Sequence, residues 1–152
     1  IHVVGDLTNR DLARMFKSIG PANRSNSENR TNPKITVPHR IEHLQMIRKS
    51  DIHKLAGMGI AGCVQPHNMI LDINMIDQSV GKRGQHAYAF RSMIDAGIQL
   101  MFSSDCPVCD PNPMVGIHAA VTRQREDGSP RCAEYRGTGT RSRGREARLV
   151  WP

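Results

Sequence analysis

Apolar residues in this chain fall in short runs separated by stretches with helical spacing, and the two patterns alternate along its length. Residues 1–4 (IHVV) read as the end of a strand, with Gly5 and Asp6 as a turn. Thr8 caps a helix that carries Leu12, Met15, Phe16 and Ile19 on one face, and Asp11 completes a weak capping box. Gly20 and Pro21 stop it, and residues 23–34 form a polar loop rich in Asn. Residues 37–45 (VPHRIEHLQ) alternate with a period of two, which places His39, Ile41 and His43 on one strand face. Ser50 caps a short helix bearing Ile52, Leu55 and Ala56, ended by Gly57 and Gly59. Residues 60–65 are a further strand; Pro66 cannot donate to a ladder, so the strand ends there and His67 falls in the loop beyond. A helical patch over 69–79, a glycine-flanked KRG turn and a helix over 86–96 closed by Gly97 lead to a strand over 99–103. Asn112 as cap and Pro113 in the first turn then open a helix over 114–124.

This β-α-β-α order carries no hairpin signal and favours parallel strands joined by crossover helices. In such sheets ligands bind beyond the C-terminal strand ends, where the following loops converge. His2, His43 and Asp105 lie at or near that edge, and His67 follows another strand. A histidine at a strand end can ligate a metal, although a hydrogen-bonded core histidine is the commoner outcome. For Asp105 the bland alternative is a turn aspartate shortly before Pro107. Recurrence of ligand-type side chains at four strand ends favours the rim of a site. His39, at its strand's start after Pro38, reads as a non-ligand, and His53, His86 and His118 read as surface or core side chains of helices.

Composition narrows the picture. A chain of 152 residues suffices for one domain, yet 38% hydrophobic and 4% aromatic residues, with 13 Gly and 9 Pro, are lean for a complete α/β core. The net charge of +7 is concentrated at one end: residues 131–152 hold six Arg against two Glu, which leaves +3 for residues 1–130. That distribution disfavours nucleic acid as a partner; a basic phosphate-binding arm is the alternative for the tail alone. Cys63, Cys106, Cys109 and Cys132 fit reduced thiols, and Cys106 with Cys109 forms a C-x-x-C that lacks the second pair of a structural zinc site. No stretch approaches a membrane span and no leader opens the chain, which starts within a strand and without Met; the glycosylation-type triplets at Asn23 and Asn29 read as chance, and a cytoplasmic location is favoured.

The blocks IHVVGD, HRIEHLQ, VQPHNMILD, AYAFRSMIDAG and FSSDCPVCDPNPMVGIHAAVTR, in that order, resemble the metal-dependent amidohydrolase superfamily, in the amidohydrolase family 3 branch that includes N-substituted formamide deformylases. The resemblance runs over residues 1–130 and implies an α/β fold of the (β/α)8 TIM-barrel type, of which this chain would supply about the fifth to eighth strands with their helices. It implies zinc or another divalent metal, with His2 as the ligand from the fifth strand, His43 from the sixth and Asp105 after the eighth. His67, Gln65 and Arg91 would lie on the substrate side. The family's H-x-H motif is absent and nothing corresponds to the first four strands, so half of the ligands are expected to be missing. After Pro130 the likeness ends, and residues 131–152 read as a basic, disordered or out-of-family tail.

What the resemblance implies is hydrolysis of a small-molecule amide-type C–N bond by metal-activated water, with Asp105 moving the proton. For this chain the expectation is a fragment with little activity of its own. The competing class is a non-enzymatic half-barrel module, whose open sheet edges would allow homo-oligomerisation.

Overall fold

The computed structural model describes residues 1–19 and 38–129. The expected Gly20–Pro21 helix stop, the Asn-rich loop with its two triplets, Cys132 and the basic tail lie outside the described residues. Four strands, β1 (His2–Val3), β2 (Arg40–His43), β3 (Ala61–Val64) and β4 (Gln99–Phe102), form one parallel sheet in the order β1-β2-β3-β4. Helices α1 (Asp6–Ile19), α2 (Lys49–Ala56), α3 (Pro66–Val80), α4 (Phe90–Asp95) and α5 (Pro113–Thr122) alternate with them, and a 3-10 helix, Gly81–His86, stands between α3 and α4. A parallel sheet in sequential order, with the right-handed crossovers that strand twist imposes, carries its crossover helices on one side.

Register defines the two faces. Val3, Ile41, Val64, Leu100 and Phe102 point to the helix side and are buried in the same apolar cluster as Leu12, Phe16, Ile52, Leu55, Phe90 and Met93. Gly62 shares that face at the tightest point: a Cβ there would stand 2.8 Å from Leu44 Cδ1 and 2.9 Å from Leu100 Cδ2, so no side chain fits without movement of its neighbours. His2, Arg40, Glu42, Cys63, Gln99 and Met101 occupy the other face.

Local chemistry moved several boundaries. Helix α1 starts at Asp6, where the acid favours the positive helix end, instead of after a Thr8 cap. Its buried stripe is Asn9, Leu12, Ala13 and Phe16, whereas Met15 and Ile19 are exposed, because Asn9 supplies the stripe's first position through hydrogen bonds and not through apolarity. Ser50 is not a cap; α2 follows Arg48, which makes no side-chain cap bond. Pro66 begins α3, since a missing N–H costs nothing in a first helical turn, and this draws His67 out of the expected loop and into that turn. The expected helix over 86–96 is shorter, because Tyr88 takes a left-handed φ of 51° and α4 begins only at Phe90. Asn112 caps α5 as expected, its Oδ1 accepting from Met114 N at 3.0 Å.

Candidate functional site

All four strands run the same way, so residues following β1, β2, β3 and β4 gather at one edge. Asn9, fully buried, braces that edge: its Nδ2 donates to the carbonyls of Val4, Gly5 and Met46 at 3.4, 3.1 and 3.0 Å and so ties the first turn of α1 to the loop after β2. Nothing in the sequence pattern marks Asn9, because a polar residue on an apolar helix stripe reads as an interruption.

At this edge His2 Nδ1 and His43 Nε2 lie 3.0 Å apart, with ring centroids 5.1 Å apart. Strand alternation does not explain the contact, since Val3 and not His2 pairs with His43 in register. His43 has φ 75° and Leu44 φ 48°, and Leu44 N donates to the Glu42 carbonyl at 3.1 Å. That i to i+2 bond across a residue at positive φ is a γ-turn of the rarer, strained kind. The turn ends β2, swings the imidazole toward His2 and gives the helix-side position to Leu44, which is 1% exposed. A non-glycine residue held there costs on the order of 1–3 kcal/mol, which the surrounding packing has to outweigh.

Behind the histidines, Glu42 and Cys63 face each other on adjacent strands. Burial pushes the Glu42 carboxyl up, but the Cys63 thiol, which donates to it, and the Arg40 guanidinium outweigh burial and hold it below its ordinary value. The same contact works in reverse on Cys63: burial first, then the hydrogen bond to Glu42, raise the thiol and keep it protonated. Cys63 is therefore a donor to a buried carboxylate and not a nucleophile.

The β3–β4 side carries the remaining candidates. Gln65 is buried, its Nε2 donating to Ser103 Oγ at 3.1 Å and to the Cys63 carbonyl at 3.2 Å. His67 stands in the first turn of α3, with Nδ1 buried and unpartnered among the described residues. Asp105, past β4, has φ 58° and accepts Val108 N–H on its carbonyl at 2.8 Å. Its charge, after burial, helps raise the Cys109 thiol, which contacts Asn68 Oδ1 at 2.7 Å. Arg91 lies in α4, where its guanidinium pairs with Asp95 one turn on. His39, read as a non-ligand, stacks near Phe16 at 5.4 Å between ring centroids, and His53, His86 and His118 are exposed.

The structure thus brings His2 and His43 together, and it places Asp105 and His67 on the same edge but over other strands. Among the described residues no group of three or more His, Cys, Asp and Glu side chains could hold a metal ion. The pair itself fits one. Zn–N bonds of about 2.0–2.1 Å place two ligand nitrogens about 2.9 Å apart at a right angle and about 3.4 Å apart at the tetrahedral angle. The observed 3.0 Å is a hydrogen bond between the two rings, one nitrogen donating and the other accepting, and its length also lies in that interval. The two rings offer a pair of ligands to an ion, and a full set needs more. A cleft of ≈ 340 Å³, which neither histidine lines, opens between the starts of α1 and α2, where Asp6 accepts from Arg48 at 3.2 Å and pairs with Arg83 at 3.6 Å.

Comparison with known proteins bears on the family and the fold. The chain is 28% identical over 125 residues to Protein LONG AFTER FAR-RED 3 of Arabidopsis thaliana, covering 81% of this chain and 20% of that protein. It is 28% identical over 125 residues to the putative amidohydrolase YtcJ of Bacillus subtilis, covering 82% and 21%. The chain therefore spans about a fifth of the length of the curated relatives it matches. Among solved structures it superposes on an uncharacterized metal-dependent hydrolase from Pyrococcus horikoshii with a TM-score of 0.64 at 25% identity, covering 81% of this chain and 22% of that one. A second, from Pyrococcus furiosus, gives a TM-score of 0.62 at 24% identity, covering 80% and 22%, and bears on the fold alone. The amidohydrolase family model matches residues 1–148, reaching beyond Pro130, and by that match the chain belongs to the amidohydrolase family.

Proposed function

We propose that this chain is the C-terminal half of a metal-dependent amidohydrolase barrel, the part carrying its fifth to eighth strands, and that the complete site hydrolyses amide-type C–N bonds of small molecules. One observation carries the reading: two imidazole nitrogens 3.0 Å apart at the C-terminal edge of a parallel sheet, held there by a strained turn. Family membership and the metal-dependent hydrolase named among its structural neighbours support it. Substrates of the N-substituted formamide kind, and zinc as the ion, are the finer form of the proposal.

His2 and His43 would hold the ion as neutral imidazoles, which leave it electrophilic. When bound, such an ion acidifies water and polarises a carbonyl. The chain's own residues do the rest. The Asp105 carboxylate takes the proton of the attacking water and returns it to the leaving nitrogen, so that the departing group leaves as an amine. Gln65, fixed by Ser103, and His67, in the first turn of α3, are the substrate-side candidates on this part of the edge. Arg91, the remaining substrate-side candidate, pairs with Asp95 along α4. With two imidazoles and one carboxylate on half a wall, the isolated chain orients an amide poorly and is expected to show no turnover above background.

Zinc titration against a chromogenic chelator tests the reading. Wild-type protein should compete for zinc, and His2→Ala with His43→Ala should abolish competition while the circular dichroism spectrum is unchanged. Equal competition by the double variant would remove these histidines from the site.

A further inference from the structure

We propose that Asp72 is a positioning residue for His43, its carboxylate clamping the strained turn after β2 through Gln45 and Tyr88. The proposal rests on reading His43 as a metal ligand. The turn holds two successive non-glycine residues at positive φ, His43 at 75° and Leu44 at 48°. Backbone of this kind persists only where its surroundings over-determine it. On the β1 side, Leu44 N and Met46 N donate to the carbonyls of Val3 and Val4 at 3.1 and 2.9 Å. Those bonds fix one flank of the turn, and the other flank needs a hold of its own.

Asp72, in the second turn of α3, supplies it. Its Oδ2 accepts from Gln45 Nε2 and, at 2.5 Å, from the Tyr88 hydroxyl. Tyr88 returns to the same loop, its backbone N donating to the Gln45 carbonyl at 2.8 Å, and Met46 pairs with Ala87 in an antiparallel bridge. Arg123, 6% exposed, locks that segment from behind by donating to the carbonyls of Tyr88 and Ala87 at 2.9 and 3.3 Å. One carboxylate oxygen thus joins α3, the segment before α4 and the residue two positions past His43. Hydrogen bonds to an ionised acceptor are the stronger kind, and a group one step out from a ligand sets that ligand's orientation. With the clamp removed, the strain at His43 is relieved by unwinding of the turn, and its ring leaves His2.

Two readouts on the 152-residue chain test this. Contact between the His2 and His43 rings is followed without metal by nuclear Overhauser effects, and zinc affinity by competition with a chromogenic chelator. Asp72→Ala should lose the ring contact and weaken zinc binding about 10–100-fold, the range for groups that orient ligands. Asp72→Asn keeps an oxygen for both donors and should recover most of that affinity. Gln45→Ala, which leaves Asp72 and Tyr88 paired, should lose the ring contact as well and serves if Asp72→Ala does not fold. Met93→Ala, fully buried in α4, lowers stability away from the turn and should leave both readouts at wild-type values. Unchanged ring contact and affinity in Asp72→Ala overturn the clamp and leave the ligand reading intact. Equal losses in Met93→Ala would reduce Asp72 to general stability and overturn the proposal. If wild type binds no zinc while Asp72→Ala still loses the ring contact, the ligand reading falls and the clamp stands.

Discussion

The two faces of the sheet obey different rules. On the helix side, Val3, Ile41, Val64, Leu100 and Phe102 are each at most 3% exposed and pack into one apolar cluster. On the other side the same strands present His2, Arg40, Glu42, Cys63, Gln99 and Met101, a set that mixes charge, thiol and imidazole and is only partly covered. Parallel sheets are ordinarily buried on both faces. Here one face has the composition of a core and the other that of a site wall, so stability and chemistry are divided across a single layer of backbone. The contrast predicts that equal truncations on the two sides have very unequal consequences.

The largest effect should come from Phe90, fully buried and within 6.0 Å of Tyr88 and 5.8 Å of Phe102 between ring centroids. Phe90→Ala removes the ring and leaves a cavity, and should cost about 3–5 kcal/mol in urea denaturation. Gln99→Ala, on the opposite face and exposed, should stay within about 0.5 kcal/mol. Comparable losses at the two positions would mean that the helix-free face is also packed in solution, and the division of labour would be wrong.

A smaller effect tests the joint between the edge and the helices. Burial raises the Asp6 carboxyl, but the hydrogen bond and charge of Arg48 and the charge of Arg83 outweigh it, so the group titrates below its ordinary value. A carboxyl depressed in the folded state contributes stability above its unfolded pKa of about 3.9, and loses that contribution as pH falls from there through the folded value. The pairs are partly exposed, so the contribution is on the order of 1 kcal/mol or less. Wild type should exceed Asp6→Asn in denaturation midpoint near pH 6, and the gap should close in acid. A gap independent of pH would assign Asp6 a packing role only.

Much of this fold is written in local pattern. The four strands, the α5 cap at Asn112 and the parallel order follow from periodicity and from proline and glycine positions, because those signals act within a few residues. The places where local reading fails share a cause. Asn9 takes a core position because carbonyls from two other segments converge on it, and His67 is helical because Pro66 suits a first turn better than a loop. His2 and His43 were legible as ligand candidates at strand ends, but their contact depends on a γ-turn that breaks alternation, and no dipeptide in HRIEHLQ announces it. Glu42 was invisible as a buried carboxylate, since its partner Cys63 is 21 residues away in sequence.

The smallest effect falls on that turn, and its sign is informative. His43 holds φ 75°, a conformation that costs an L-residue about 1–2 kcal/mol relative to glycine. His43→Gly relieves this strain but adds unfolded-state entropy worth about 0.4–1 kcal/mol, so its net stability should lie within a few tenths of wild type or slightly above. His43→Ala keeps the strain and also loses the contact with His2, which leaves it less stable than the glycine variant by several tenths of a kcal/mol to about 1 kcal/mol. Both lose the imidazole and should lose zinc competition alike. The comparison separates backbone from ligand: strain at the edge is a cost the fold carries so that two rings can face each other, while the helix side holds the protein together. Should the alanine variant prove the more stable of the two, the turn is not strained, and the approach of the imidazoles would rest on side-chain packing alone.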